Sequence, residues 1–158
     1  MHELQAHGVG VEVPTGWEAE LSTVDEDPHA GGAVPFSRSS RVLLHAANFA
    51  LPVERGDYGS GAVEIMDSGS VLVIVMEFDN ASASTALFAA DGLPTNLVGD
   101  DFSTQQLQRP QRNQSGAQRF FHVGNRAFCL YVVLGSHLLR AVLVQEANRI
   151  IGGLSIDG

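Results

Sequence analysis

Cys129 and His122 come nearest in this sequence to a reactive pair. They flank Gly124-Asn125, a dipeptide that favours a two-residue turn of the primed kind between antiparallel strands. Pairing outward from that turn sets Val123 against Arg126, His122 against Ala127, Phe121 against Phe128 and Phe120 against Cys129. His122 and Cys129 then share a face as diagonal neighbours about 7–8 Å apart, which is a geometry for a nucleophile and its base. Against this, Cys129 sits mid-strand between Phe128 and Leu130, where a thiol is normally buried and unreactive. The expectation is an inert core cysteine.

The second candidate is Arg55-Gly56-Asp57-Tyr58-Gly59-Ser60-Gly61, with three glycines in six positions. A dinucleotide cradle needs a strand before the glycines and a full helix after them, so that the helix N-terminus meets the pyrophosphate. Only Ala62 to Met66 follows, about one helical turn, before Asp67-Ser68-Gly69-Ser70 breaks it. A phosphate loop would also carry Gly-Lys-Ser or Gly-Lys-Thr, and the chain has no lysine. Asp57, Glu64 and Asp67 would repel a phosphate. The stretch reads as a structural turn.

Other chemistry is thinner still. His2, His7, His29, His45 and His137 are scattered, with no paired spacing for a metal. One cysteine excludes an internal disulfide and a cysteine-cluster metal site. The Gly-x-Ser-x-Gly elbow is absent, and the carboxylates fall in turns or on strand faces that read as solvated. No cofactor and no metal are expected. Arg109-Pro-Gln-Arg112-Asn-Gln, with Arg119-Phe120-Phe121 after it, interleaves cations with aromatics. Its charge density is too low for the counter-ion release that drives nucleic-acid binding, so a contact loop for a protein partner suits it better.

Charge is distributed unevenly. Residues 1–101 hold 16 acidic and 3 basic side chains, a balance of −13, and residues 102–158 hold 2 and 6, a balance of +4, consistent with the total of −9. The acidic total argues against a nucleic-acid partner. The polarity fits either pairing within the chain or a partner, or second copy, that meets opposite charge. On the second reading the contact residues are Glu12, Glu18 and Glu20 on one side and Arg109, Arg112 and Arg126 on the other.

These residues must be held by a fold. At 158 residues with 44% hydrophobic and 17% charged side chains, the chain is one globular domain with a real core. The longest apolar run, Val71 to Met76, is strand-sized, so no membrane insertion is expected. With no basic and apolar leader after Met1, a cytoplasmic location is expected if Met1 is the native start. Val9, Val11 and Val13 alternate with Gly and Glu, Pro14-Thr15-Gly16 is turn chemistry, and Trp17, Ala19 and Leu21 alternate with Glu18 and Glu20. Residues 8–21 therefore read as a hairpin with an acidic outer face. Residues 22–40 read as a long loop. Arg41 to Leu51 reads as a strand stopped by Pro52, with helix as the alternative.

Val71 to Asp79 is the clearest strand. Asn80 is placed to cap a short helix through Phe88, and Gly92 to Gln114 reads as mostly irregular. The hairpin about Gly124-Asn125 carries Phe121, Phe128, Leu130, Val132 and Leu134 on one face and Phe120, Cys129, Tyr131 and Val133 on the other. An antiparallel hairpin apolar on both faces must be covered on both sides, by helices or by another subunit. Val144, Ala147, Asn148, Ile151 and Leu154 recur at helical spacing and supply one cover, ended by Gly152-Gly153. The predicted class is α+β, a mostly antiparallel sheet of five to seven strands flanked by helices.

Val13-Pro14-Thr15-Gly16-Trp17 between two strands, a strand ending in Asn-Phe-x-Leu-Pro (Asn48 to Pro52) and a closing hairpin-plus-helix resemble the Mog1/PsbP-like group, with its lipoprotein and DcrB-like members. The resemblance implies a helix–sheet–helix sandwich and an accessory binding protein without catalytic machinery, so no functional residues carry over. The leading expectation is a non-catalytic accessory or assembly module that binds protein, as a hetero-complex or a homo-oligomer. The alternative is a small-molecule binder or an enzyme with a pocket between sheet and helix.

Overall fold

Gly124 adopts φ +58° and turns the chain between two nine-residue strands in the register that the sequence predicts, Val123 against Arg126 through Phe120 against Cys129. The computed structural model that contains them describes residues 2–24 and 41–158. Eight strands and one α-helix occur among these: β1 (His2–Ala6), β2 (Val9–Val13), β3 (Glu18–Val24), β4 (Arg41–Ala47), β5 (Val71–Phe78), β6 (Ser115–Val123), β7 (Arg126–Leu134), α1 (Arg140–Ile151) and β8 (Leu154–Ile156). They form two antiparallel sheets, ordered β1-β2-β8 and β3-β4-β5-β7-β6. The class is α+β as predicted, but with eight described strands in two sheets rather than five to seven in one.

The expected 8–21 hairpin does not form. β2 pairs with β1 and β8, whereas β3 pairs with β4 in the other sheet. Pro14-Thr15-Gly16 is a tight turn, with Trp17 N donating to Pro14 O at 3.1 Å, but it passes the chain from one sheet to the next. Alternation reports which face of a strand is buried and says nothing of which strand lies beside it. Glu12 and the pair Glu18 and Glu20 therefore stand on different sheets, not on one acidic face.

Of the loop expected at 22–40, residues 25–40 lie outside the described residues, and Ser22 to Val24 continue β3. Arg41 to Ala47 is strand rather than helix, because β4 is an inner strand with side chains buried on both faces. The helix expected from Asn80 is two short 3₁₀ turns, Asn80–Ser84 and Ala86–Phe88. Its cap is Asp79, one residue earlier, whose carboxylate accepts from Ser82 N at 3.1 Å.

Both faces of the five-stranded sheet are covered by the chain itself. On one face, Val42, Leu44, Val73, Val75, Phe128 and Leu130 meet the small sheet (Val9, Val11, Val13) and helix α1 (Leu143, Val144, Ala147, Ile150, Ile151). Burying each such aliphatic side chain contributes about 1.5–3 kcal/mol before entropy is charged against it. Leu154, expected on the helix, lies in β8 beyond the Gly152-Gly153 stop. The opposite face, with Leu72, Ile74, Cys129, Tyr131 and Val133, is covered by connecting segments that contribute Phe49, Leu51, Tyr58, Val63, Met66 and Leu107. Neither a second helix nor another subunit is needed to bury it. The sheet edge at β6 is closed too: Ser103 exchanges two backbone bonds with Gly116 at 2.9 Å, and residues 90–92 pair with His122. No helix among the described residues is long and apolar enough to cross a membrane.

Candidate functional site

The glycine loop lies against β4 and β5, and the amides of its three glycines are bonded locally. Gly56 N donates to Ser60 O at 2.8 Å, Gly59 N to Gly56 O at 2.9 Å, and Gly61 N to the Glu64 carboxylate at 2.7 Å. Gly59 has φ +88°, and a Cβ there would fall 2.7 Å from Leu72 Cδ2. It is glycine because the backbone turns left-handed against the sheet. The loop closes a structural turn, as its sequence implies, and the amides of its three glycines are already engaged.

That turn is tied down by a polar chain that runs from exposed Glu20 to the buried side chains of Arg55 and His45. The register places Glu20 opposite His45. Arg55 donates from Nε to His45 Nδ1 at 2.6 Å and from Nη1 to Pro52 O at 2.6 Å, and its Nη2 lies 3.1 Å from Glu20 Oε1. A guanidinium only donates, so His45 Nδ1 is the acceptor and its proton is on Nε2, which donates to Asp57 O at 2.8 Å. Burial pushes the His45 pKa below its ordinary 6.5; the bond to the Asp57 carbonyl opposes this, and the Arg55 charge adds to it. Both ring nitrogens are engaged, so the imidazole clamps the loop.

The Cys129–His122 pair is not a catalytic dyad. Cys129 is fully buried, its Sγ 3.6 Å from Gln118 Nε2, and burial pushes its thiol up to about 11. His122 turns away: its Nδ1 meets Phe88 O at 2.6 Å and its Nε2 lies 3.6 Å from Asp91. A second pairing that the sequence reading passed over, Ser115 Oγ with His137 Nδ1 at 2.8 Å, buries the serine completely. With His137 N on Asn113 O, it anchors the turn before α1. No group of three or more His, Cys, Asp or Glu among the described residues is placed to hold a metal ion.

The six charged residues singled out for contact are dispersed. Arg126 grips Glu77 with two bonds, Nε to Oε2 at 2.9 Å and Nη2 to Oε1 at 3.0 Å. Arg109 Nε pairs with Glu64 at 2.8 Å on the surface. Arg112 is exposed in the 105–114 segment. Glu20 holds Arg55, Glu18 accepts from Leu51 N at 3.1 Å, and Glu12 stands opposite Glu3 in the small sheet. Together with Arg119–Asp101 at 2.8 Å, three of the six arginines of the basic half meet carboxylates of the acidic half inside one molecule.

The constellation left open to solvent is apolar. Leu138 (91% exposed), Val142 (64%), Val98 (52%) and Leu139 (46%) cluster where α1 begins. Leu138 and Leu139 lie in the turn that leads into α1, and Val142 lies in its first turn. Beside them lies a hollow of about 320 Å³ lined by Val98, Gly99, Asp100, Leu138, Arg140 and Ala141. The hollow is firmly built. Asn148 on α1 accepts from Leu97 N at 3.1 Å and donates to Leu97 O at 2.8 Å. Asp101 accepts from Val98 N at 2.8 Å while Arg119 holds its other oxygen.

Sequence reasoning missed this patch, although a signal was there. The run Leu138-Leu139-Arg140-Ala141-Val142-Leu143-Val144 has more apolar residues than a single buried helix face requires. No family model, curated protein or solved structure matches the chain.

Proposed function

We propose that this chain is a non-catalytic binding module that acts by holding another protein on the surface formed by Val98, Leu138, Leu139 and Val142. One observation carries the reading: large apolar side chains are held in water beside a preformed hollow, with charged residues at its rim. Contiguous exposed apolar surface rimmed by polar groups is characteristic of protein contact sites. A hollow already braced by Asn148 and Asp101 loses little conformational freedom on binding. The resemblance to the Mog1/PsbP-like group supports the same reading, since that group implies accessory binding proteins.

The surface differs from the one that charge alone suggests. Arg109 and Arg126 have carboxylate partners within the chain, so their exchange would disturb the fold as well as any contact. The alternative of a ligand pocket between sheet and helix finds less support, because α1 packs Leu143, Val144, Ala147, Ile150 and Ile151 directly into the sheet core. The test is affinity capture from native host lysate with the parent chain and with Leu138→Glu/Val142→Glu. Discrete protein retained by the parent and lost by the variant is expected. Identical recovery with both would overturn the reading.

A further inference from the structure

We infer that the occupant of this surface is a second copy of the same chain, docked about a two-fold axis. The inference rests on the binding reading above and names its partner. Two features make the surface self-complementary. The first is shape: Leu138, at 91% exposure the most prominent of the four side chains, lines the hollow together with Val98 and Ala141. In a two-fold contact the same patch serves both partners, so each Leu138 enters the other copy's hollow.

The second feature is charge. Asp100 and Arg140 both line the hollow. Among the described residues neither has an ion-pair partner, although Arg149, Arg119 and Arg126 nearby in sequence do. Arg140 Nη1 reaches only the His137 carbonyl, at 2.9 Å. A two-fold axis through the patch brings Asp100 of each copy to Arg140 of the other. One anion and one cation flanking one apolar knob and one hollow form a pattern that its own copy matches, with both charges satisfied.

A contact centred on four apolar side chains and one hollow is that of a reversible dimer rather than of a permanent one, which buries more than about 2,000 Å². The expected association is therefore reversible, in the micromolar range of dissociation constants, around 1–100 μM. Salt weakens it through the Asp100–Arg140 contacts.

The test is sedimentation equilibrium of the whole chain across that range, with parent, Arg140→Glu, Asp100→Arg, the double reversal, and Leu138→Ser. All three positions are at least partly exposed, and a glutamate at the start of α1 suits the helix dipole, so folding is preserved; circular dichroism checks it. Each single reversal should raise the dissociation constant about tenfold, the double reversal should bring it back towards the parent value, and Leu138→Ser should abolish association. A parent chain that is monomeric throughout overturns the two-fold dimer. If lysate capture through Leu138 and Val142 then succeeds, the binding reading stands with a different partner; if capture also fails, both fall. Single reversals that dimerise as the parent does, or a double reversal that stays monomeric, overturn the proposed geometry.

Discussion

The Arg126 guanidinium holds the Glu77 carboxylate by its edge through two hydrogen bonds, at 2.9 and 3.0 Å, with side chains only 17% and 5% exposed. Around this pair the two sheets are fastened. Arg126 Nη1 donates to Asp157 O at 3.0 Å just beyond β8, Glu77 Oε1 accepts from Val42 N at 3.0 Å in β4, and the guanidinium lies 5.1 Å from the centre of the Phe128 ring. A buried ion pair adds modest net stability relative to an apolar pair of the same shape, but breaking one strands a charge.

Arg126→Met should therefore destabilise the chain by about 3–5 kcal/mol. Glu77→Gln/Arg126→Met should recover part of the loss, since the glutamine keeps an acceptor for Val42 N. Urea unfolding of the parent, both single variants and the double variant measures the coupling. A single variant as stable as the parent would show that the pair does not fasten the sheets.

His45 should make the fold acid-sensitive. Its folded pKa is held below 6.5 by burial, whereas the unfolded imidazole titrates near 6.5. Between those values the unfolded chain carries more protons, so stability rises with pH. The contribution is complete above about pH 6.5 and is lost as pH falls towards the folded value, at up to about 1.4 kcal/mol per pH unit. Unfolding free energies measured from pH 5 to 8 should be flatter in His45→Gln than in the parent. Parallel curves would exclude His45 as the source.

Cys129 should resist thiol reagents while the chain is folded. With its pKa near 11, the thiolate is scarce at neutral pH, and the fully buried sulfur is shielded. Labelling should proceed only at the rate of opening and become fast in denaturant. Cys129→Ser places a hydroxyl among Leu72, Ile74 and Tyr131 and should cost about 1–3 kcal/mol. Rapid labelling of the native chain would contradict the assigned burial.

Gly59→Val should destabilise the fold without altering nucleotide binding, because none is expected. A β-branched residue at φ +88° is strained, and its Cβ meets Leu72 Cδ2 at 2.7 Å, so a loss of about 1–3 kcal/mol follows. Calorimetry of the parent against ATP, GTP and NAD should give no saturable heat. A binding isotherm abolished by the substitution would restore the loop as a ligand site.

Much of this architecture was legible in the sequence because it depends on neighbours along the chain. Gly124-Asn125 has few conformations open to it, so the β6–β7 register and the two apolar faces followed from one turn. The apolar spacing of Val144, Ala147 and Ile151 marked the buried side of α1 for the same reason. The incomplete ring of glycine-loop signals likewise predicted a turn, and the turn is what forms. What lay beyond the sequence was every choice between distant partners. Val9 to Val13 encodes a half-buried strand equally well beside β3 or between β1 and β8, and only the closing of the C-terminal Leu154–Ile156 segment onto it decides. His45 and Arg55 carry no pattern that announces their hydrogen bond. The exposed patch arises where the 96–101 segment, tied to Asn148, meets the start of a helix some 40 residues further on. Hydrophobic period and turn chemistry are local properties of a chain; the pairing of strands, the burial of a charge and the side of a helix left in water are set by the free energy of the whole packed molecule.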